Sequence, residues 1–302
     1  MRLALISALL LAGCVAAAPE RIDTAASPAL SWEPTTTPRA DVLALHGFGD
    51  HKGTFADLGR FLTAHDIAVH AYDLRGFGQQ PDAGFWPGID ALLDQLDEQM
   101  RTLRQVAPDR PLLVLGDSMG AAVLTLAAAR GKLGQVDGMV LVAPAVWGGA
   151  TLSGFYRATL SFTRRFLPWL RLSGRGLPVR ASDNIEVLRA RGRDPLFLKE
   201  PLVGMVAGLV ELMDEARAAA PAVGGRVLVL IGDKDQVVPP DAQRSFAASI
   251  GAPDCRLVDY PDGWHLLLHD LQRQRVLEDL LAWLDGAEPL PARFRDCRGT
   301  PS

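Results

Sequence analysis

The chain has 302 residues, of which 48% are hydrophobic and 22% are charged. This composition is typical of one large globular domain and excludes a disordered or fibrous chain. The formal net charge is −4 and the sequence pI is about 5.9, so the chain lacks the basic excess of nucleic-acid-binding proteins.

The first eighteen residues differ in composition from the rest of the chain. Arg2 is followed by a mostly apolar run over residues 3–18, which is shorter than the roughly 20 residues of a membrane-spanning helix. A short apolar run after a positive charge is typical of a secretory signal. Inside it, Leu11-Ala12-Gly13-Cys14 resembles the bacterial lipobox, in which the signal is cut before the cysteine and the thiol carries a diacylglycerol.

This resemblance implies a signal peptide over residues 1–13, lipidation of Cys14 and a tether over residues 14–39 that is rich in Ala, Thr and Pro. Several acyl chains would anchor the protein stably to a membrane of the bacterial cell envelope. The alternative is an ordinary signal peptide cut near residues 16–18, which would release a soluble periplasmic or secreted protein.

Short apolar runs alternate with helical patterns through most of the chain. The predicted strands are residues 42–45, 68–72, 112–115, 138–142, 227–231 and 255–258. The predicted helices are residues 55–64, 89–106, 119–130, 242–250 and 266–284. Continuous apolar runs indicate strands buried on both faces, and their alternation with helices predicts an α/β fold with a mostly parallel sheet.

One stretch, residues 146–220, interrupts this alternation, because it has helical segments and aromatic residues but no convincing strand. We predict a helical cap there, inserted into a core formed by residues 40–145 and 221–286. The cap would cover the carboxyl edge of the sheet, where open α/β sheets place their sites. Residues 287–302 form a Pro-containing tail.

Export would make the other two cysteines candidates for a disulfide, because such bonds persist outside the cytosol. A bond between Cys255 and Cys297 would fasten the tail to the core. Two unpaired thiols are the alternative.

The strongest local motif is Gly116-Asp117-Ser118-Met119-Gly120, which follows one predicted strand and opens a helix. A strand, a tight turn and a helix form the nucleophile elbow of serine hydrolases. Glycines allow the backbone to turn sharply beneath an exposed hydroxyl, and the helix dipole favours developing negative charge. We therefore predict that Ser118 is a nucleophile; an ordinary strand-to-helix turn is the alternative.

A serine hydroxyl needs a base to remove its proton and a carboxylate to orient that base. In α/β sheets with a nucleophile elbow, the three residues occur along the chain in the order Ser, acid, His. The histidines that follow Ser118 are His265 and His269, so these two are the candidates for the base. His265 lies in a loop after a strand and is the predicted base. His269 falls one turn into the next predicted helix, so we expect it to be a structural or surface residue.

Two aspartates follow the predicted strand 227–231 and compete for the role of the acid. Asp235 is favoured because its spacing and the Val237-Val238-Pro239 sequence after it put the carboxylate at the far end of the loop, facing His265. Asp233 would then be a turn residue that bonds its own backbone.

The oxyanion requires two preorganised N–H donors. Met119 follows the nucleophile and supplies one of them. The His46-Gly47-Phe48-Gly49 loop follows an early strand, and the N–H of Phe48 is the predicted second donor, with a structural role for His46. A simple glycine turn is the alternative for this loop.

Taken together, these residues resemble the monoglyceride lipase and lysophospholipase branch of the α/β-hydrolases, which is sometimes grouped with serine aminopeptidases. The matching segments, in order, are His46-Gly47-Phe48-Gly49-Asp50, Asp73-Leu74-Arg75-Gly76-Phe77-Gly78, Gly116-Asp117-Ser118-Met119-Gly120, and the pair Asp235 and His265. The resemblance spans residues 40–285. It implies an α/β-hydrolase fold with Ser118, Asp235 and His265 as the catalytic triad and with Phe48 and Met119 at the oxyanion.

The sequence departs from this family at three places. Asp117 stands where the family usually has histidine, which adds a carboxylate near the site, and Ala121 stands where it usually has glycine. The segment before residue 42 is also short for the two leading strands of the fold, so we expect those strands to be abbreviated.

The aromatic residues of the cap suit an acyl chain. Residues 153–193 also contain nine arginines against two acids, Asp183 and Glu186. This excess would suit phospholipid headgroups or an anionic lipid surface; a solvated helix face is the alternative.

The expected substrate is thus a monoacyl lipid, either a lysophospholipid or a monoacylglycerol, cleaved through an acyl-enzyme without a metal or other cofactor. The expected partners are this lipid or ester and, through the anchor, a membrane surface. An aminopeptidase-like enzyme is one alternative, although the cap has few acids to bind an amine. A non-catalytic lipid-binding lipoprotein is the other, since a fold does not fix a function.

Overall fold

The computed structural model describes residues 29–148, 167–173, 179–287 and 290–299. The predicted signal peptide, Cys14 and the cap aromatics Phe155, Tyr156, Phe162 and Phe166 lie outside the described residues. In the part that is described, no helix is both long enough and apolar enough to span a bilayer.

The described residues form one eight-stranded sheet. Its strands are β1 (Leu30–Trp32), β2 (Ala40–Leu45), β3 (Ile67–Ala71), β4 (Leu112–Asp117), β5 (Gly138–Val142), β6 (Arg226–Gly232), β7 (Asp254–Tyr260) and β8 (Arg295–Asp296). The spatial order is β1-β3-β2-β4-β5-β6-β7-β8. Strands β2 to β7 pair in parallel, and β1 and β8 are antiparallel edge strands.

The six core strands are those that the apolar runs predicted: one has the predicted bounds, one is shifted by one residue, and the other four are extended by two or three residues. Strands β2 to β5 are buried along their whole length, because helices cover both faces of a parallel sheet. The predicted fold class, a mostly parallel α/β sheet with helices on both faces, is confirmed.

The described helices are α1 (Ala56–Thr63), α2 (Ile89–Val106), α3 (Met119–Ala129), α4 (Ile185–Arg193), α5 (Val203–Ala219), α6 (Pro240–Ser249) and α7 (Arg273–Leu284). Helices α1 and α7 pack on one face of the sheet, and α2, α3, α5 and α6 contribute to the core on the other face. Helix α3 is apolar all round and buried over residues 119–127, because it lies between the sheet and α5.

One predicted helix begins later than expected. Residues 266–284 were predicted to be helical throughout, but α7 starts at Arg273. Residues 266–272 form turns instead, in which the Asp270 carboxylate accepts the N–H of Trp264 at 2.7 Å and the hydroxyl proton of Ser182 at 2.5 Å. One of these hydrogen bonds comes from a backbone N–H in the same loop and the other from Ser182 in another segment. Together they outweigh the local helical pattern.

Both edges of the sheet contain strands that the sequence did not reveal. The leading part of the fold is represented by β1 alone among the described residues, paired to β3 in the register Ser31 with His70. At the opposite edge, β8 pairs with β7 and is fastened by a disulfide between Cys255 and Cys297, whose Cα atoms are 5.4 Å apart. The bond joins the tail to the core.

The described part of the segment 146–220 is mostly helical, through α4 and α5, with an isolated bridge between Arg171 and Leu202. Helix α4 begins at Asn184, whose side chain accepts the N–H of Val187. None of its residues is buried, so this short helix depends on contacts at its ends.

Candidate active site

Ser118 lies at a sharp turn between β4 and α3. Its φ of 51° and ψ of −108° place it in a region that residues other than glycine rarely adopt, and such strain is characteristic of functional positions. The hydrogen bond from its N–H to the carbonyl of Val142, at 2.9 Å, holds the turn against β5.

The two glycines of the turn are required by close packing. A Cβ on Gly116 would lie 2.4 Å from the carbonyl carbon of Gly120. A Cβ on Gly120 would lie 2.2 Å from the carbonyl oxygen of Leu45, at the end of β2. The Gly-x-Ser-x-Gly spacing therefore reflects the contact of the turn with itself and with the neighbouring strand.

The structure brings the predicted nucleophile, base and acid together. His265 Nε2 lies 3.0 Å from Ser118 Oγ, and His265 Nδ1 lies 2.7 Å from Asp235 Oδ2. A carboxylate can only accept, so Nδ1 carries the proton and the lone pair of Nε2 faces the serine hydroxyl. This arrangement allows the imidazole to take the serine proton.

Four hydrogen bonds to its two oxygens hold the carboxylate of Asp235 in place. Oδ1 accepts the N–H groups of Val237 and Val238 at 2.7 and 2.9 Å, and Oδ2 accepts from Gln243 at 2.9 Å besides His265. The apolar pair after Asp235 in the sequence thus supplies backbone donors that orient the carboxylate.

The competing aspartate has another partner. Asp233 lies in a turn, as expected, but its carboxylate forms an ion pair with Arg244 on α6 instead of bonding the backbone of its own turn. The sequence did not predict this partner, because Arg244 reaches Asp233 only once α6, which begins at Pro240, packs beside the loop.

The electrostatics of His265 favour its protonated form. Burial lowers the pKa of the imidazole, but the charge and hydrogen bond of Asp235 and the charge of Asp117 outweigh it, so the net pKa is above the ordinary value of 6.5. The imidazolium that forms when a serine loses its proton is therefore stabilised in place.

His269 is a buried structural residue, and it lies in a turn rather than in the helix where it was predicted. Its Nε2 lies 3.0 Å from Thr54 Oγ1, and its N–H bonds the carbonyl of Leu266. Burial, together with the charge of Arg191, lowers the pKa of His269 to about 4.

The loop 46–51, called the oxyanion loop below, packs directly against Ser118. A Cβ on Gly47 would lie 3.3 Å from Ser118 Cβ. The N–H of Phe48 has no hydrogen-bond acceptor within the described residues, and Met119 lies in the first turn of α3, whose N–H groups lack helical acceptors. Both groups are free to bind an oxyanion.

His46 is buried and fixes the shape of the oxyanion loop. Its Nδ1 donates to the carbonyl of Gly47 at 2.8 Å, and its Nε2 accepts the N–H of Leu74 at 2.9 Å. Burial lowers the pKa of His46, which keeps this neutral tautomer. These contacts agree with the structural role expected from the sequence.

The second matching segment, residues 73–78, packs against the oxyanion loop and the residues that follow it. The buried carboxylate of Asp73 accepts the N–H groups of Lys52 and Gln79 at 2.8 and 2.9 Å. Phe77 packs edge-on against Phe48 with ring centroids 5.3 Å apart. The segment therefore supports the oxyanion loop.

Asp117, which departs from the family pattern at the turn, is a buried carboxyl next to Ser118 in the chain. Burial raises its pKa to about 6, although the nearby charges of His265 and Arg191 partly oppose this. A Cβ on Gly47 would lie 3.7 Å from Asp117 Oδ2, so the carboxyl faces the oxyanion loop.

Sequence reasoning missed the residues that hold the site from outside, namely Gln243, His51, Thr54, Arg191 and Asp194. Gln243 lies eight residues after Asp235, whereas each of the others contacts a residue more than 100 positions away, and no local motif marks any of them. Among the described residues, no group of three or more His, Cys, Asp or Glu side chains is arranged to hold a metal ion.

A serine at a strained strand-to-helix turn, hydrogen-bonded to a histidine from a later loop of a parallel sheet, is the geometry of an α/β-hydrolase. The chain matches the family described as serine aminopeptidase, S33, over residues 36–272, and it belongs to this family.

Two curated relatives extend the comparison. The monoacylglycerol lipase of Mycolicibacterium smegmatis is 29% identical over 264 residues, which cover 84% of this chain and 90% of that protein. The human monoglyceride lipase is 26% identical over 262 residues, covering 84% of each chain.

Solved structures agree on the fold. A monoacylglycerol lipase from Paleococcus ferrophilus matches with a TM-score of 0.74 and 20% identity, covering 88% of this chain and 99% of that one. A soluble variant of the monoglyceride lipase of Saccharomyces cerevisiae matches with a TM-score of 0.75 and 20% identity, covering 85% and 91%. The chain is a serine ester hydrolase of the α/β-hydrolase fold.

Proposed function

We propose that the protein hydrolyses monoacyl lipids, either monoacylglycerol or lysophospholipid, through a Ser118-His265-Asp235 triad and an acyl-enzyme. The observation that carries the proposal is the continuous pair of contacts, 3.0 Å from Ser118 Oγ to His265 Nε2 and 2.7 Å from His265 Nδ1 to Asp235 Oδ2.

The reaction begins when Ser118 Oγ attacks the ester carbonyl carbon while His265 Nε2 takes the hydroxyl proton. Asp235 keeps the proton on Nδ1 and stabilises the imidazolium. The Phe48 and Met119 N–H groups donate to the carbonyl oxygen as it becomes negative, and each such donor contributes roughly 100- to 1000-fold in rate.

Collapse of the tetrahedral intermediate breaks the ester bond, and the imidazolium gives its proton to the departing alkoxide. His265 then takes a proton from water, whose oxygen attacks the acyl carbon. The second collapse releases the fatty acid and restores Ser118.

Two observations support a monoacyl lipid as the substrate. Two relatives that match over 84% or more of their length are named as monoacylglycerol or monoglyceride lipases. Apolar groups also border the oxyanion loop: Leu198 donates its N–H to the carbonyl of Gly49 at 2.8 Å, and a Cβ on Gly49 would lie within 3.9 Å of the Phe197 ring. Such a border suits an acyl chain.

The substrate is tested with purified wild-type protein and Ser118→Ala on four substrate classes: long-chain monoacylglycerol, lysophospholipid, p-nitrophenyl esters from C4 to C12, and aminoacyl anilides. Because a buried methylene contributes about 0.8 kcal/mol, kcat/KM should rise at least tenfold from C4 to C10. Turnover of only C4 esters would contradict the lipid substrate, and turnover of only the anilides would favour a peptidase.

We also propose that the enzyme is exported and anchored to a bacterial membrane through lipid on Cys14. The sequence around Cys14 supports this, because it combines a short apolar segment with a lipobox-like ending. Labelling with radioactive palmitate in a bacterial host should mark the wild type and not Cys14→Ser. Equal labelling of both, or an intact mass of the wild type without acyl groups, would contradict the anchor.

A further inference from the structure

Cap helix α4 is joined at its amino-terminal end to the loop that carries His265. This loop, residues 261–272, is called the histidine loop. Its Leu266 N–H donates to the carbonyl of Ala181 at 2.9 Å, and Asn184, at the start of α4, donates to the carbonyl of His269 at 2.9 Å. The base is therefore carried by a loop that is bonded to the cap.

The carboxyl-terminal end of α4 is joined to the oxyanion loop. Arg191 Nη2 lies 2.7 Å from Asp50 Oδ2, and Asp194 Oδ2 lies 2.9 Å from His51 Nε2. Asp50 also accepts the N–H of His51 at 2.9 Å and bonds its own N–H to the carbonyl of Gly47. Asp50 thus closes the turn that contains Phe48.

Arg191 connects the two loops through a second contact. It donates from Nη2 to Thr54 Oγ1 at 3.0 Å, and the Thr54 hydroxyl donates in turn to His269 Nε2 at 3.0 Å. The lowered pKa of His269 keeps this imidazole neutral, so it can accept. One guanidinium therefore contacts the oxyanion loop directly and the histidine loop through a hydroxyl.

The environment of Arg191 separates it from the other arginines on α4. The Arg191 and Asp50 side chains are 18% and 5% exposed, whereas Arg189 and its partner Glu186 are 61% and 80% exposed. Exposed pairs contribute little, whereas removal of Arg191 would leave the buried carboxylate of Asp50 without its charge partner.

We propose that Arg191 is a positioning residue that holds the oxyanion loop and the histidine loop at the separation needed for catalysis. It sets the Phe48 N–H and His265 Nε2 around the same ester carbonyl, and it acts through Asp50 and Thr54. This role rests on the proposed triad mechanism.

The test compares Arg191→Gln with Arg189→Gln on a soluble C4 ester, so that binding to lipid surfaces plays no part. Misplacement by about 1 Å can cost 100-fold in rate. We expect Arg191→Gln to lower kcat roughly 10- to 100-fold with little change in KM, because the affected contacts form in the transition state. Arg189→Gln should keep the wild-type kcat.

Two further variants separate positioning from folding. Arg191→Lys should recover part of kcat, because an ammonium can pair with Asp50. Thr54→Val keeps the pair of Arg191 with Asp50 and removes both hydrogen bonds of the Thr54 hydroxyl, which join Arg191 to His269, and it should also lower kcat. Circular dichroism and thermal melting identify any variant that does not fold, and Thr54→Val then carries the test.

A double-mutant cycle measures the coupling. The kcat losses of Arg191→Gln and Asp50→Asn should be less than multiplicative when combined, because both remove the same contact. Multiplicative losses, or a folded Arg191→Gln with kcat within twofold of wild type, would overturn the proposal. If the wild type itself hydrolyses no ester, the proposed function fails first, and all variants are equally inactive.

Discussion

His265 Nδ1 lies 2.7 Å from Asp235 Oδ2, and both side chains are almost completely removed from solvent. The aspartate also accepts two backbone N–H groups and the Gln243 amide, so it cannot rotate away from the imidazole without losing other bonds. This contact therefore selects both the tautomer and the orientation of the base.

Asp235→Asn should lower kcat about 1000- to 10,000-fold, because an amide at this position favours the wrong imidazole tautomer. The measurement is steady-state hydrolysis of a C4 ester, with circular dichroism to show that the fold is retained. Asp233→Asn is the matched control, because Asp233 pairs with Arg244 and should change kcat less than about twofold. A larger loss for Asp233→Asn than for Asp235→Asn would reverse the assignment of the acid.

The pH dependence follows from the raised pKa of His265. The base must be neutral, and its pKa lies above 6.5, so kcat/KM should fall as the pH drops through a value above 6.5. Asp117 contributes to this raised pKa, and Asp117→Asn should therefore move the acid limb to lower pH. An acid limb that lies below 6.5 in the wild type, or that moves upward in Asp117→Asn, would argue against this account.

Gly120→Ala should destabilise the elbow, because the new methyl group would lie 2.2 Å from the carbonyl oxygen of Leu45. Overpacking of this kind costs about 1–3 kcal/mol in unfolding free energy, measured by chemical denaturation. Gly224→Ala is the control, since no atom lies within 4 Å of its Cβ position and its φ is not in the left-handed region. Equal stability of the two variants would show that the elbow can relax.

Loss of the disulfide should lower stability and leave activity intact. Cys255 and Cys297 are separated by 42 residues, and closing such a loop stabilises by about 4 kcal/mol on the chain-entropy model. The double variant Cys255→Ser/Cys297→Ser should therefore melt roughly 10 °C lower, with little change in kcat, because the bond joins β7 to the tail. The same melting temperature with and without reductant would contradict a stabilising role.

The parts of the fold that were predictable from sequence are those with a local signature. The apolar runs of β2 to β5 are buried along their whole length, and the glycines around Ser118 mark a turn that a side chain would block. The edge strands β1 and β8 are too short to show a pattern, since they have three and two residues.

The contacts that support the site were not predictable in the same way. Arg191 was one of nine arginines in residues 153–193, and only the folded chain brings it to Asp50, 141 residues earlier. The helical pattern after His265 forms no helix before Arg273, because the carboxylate of Asp270 accepts from the Trp264 N–H and the Ser182 hydroxyl and thereby favours turns. Contacts between segments distant in sequence decided both cases, an ion pair in the first and the hydrogen bond from Ser182 to Asp270 in the second.

The central claim is that Ser118 is an activated nucleophile. Labelling of wild-type protein and Ser118→Ala with a fluorophosphonate, followed by intact mass, tests it most directly. The account predicts one covalent adduct on the wild type and none on the variant. A wild type that does not react, or a variant that reacts as fast, would contradict it.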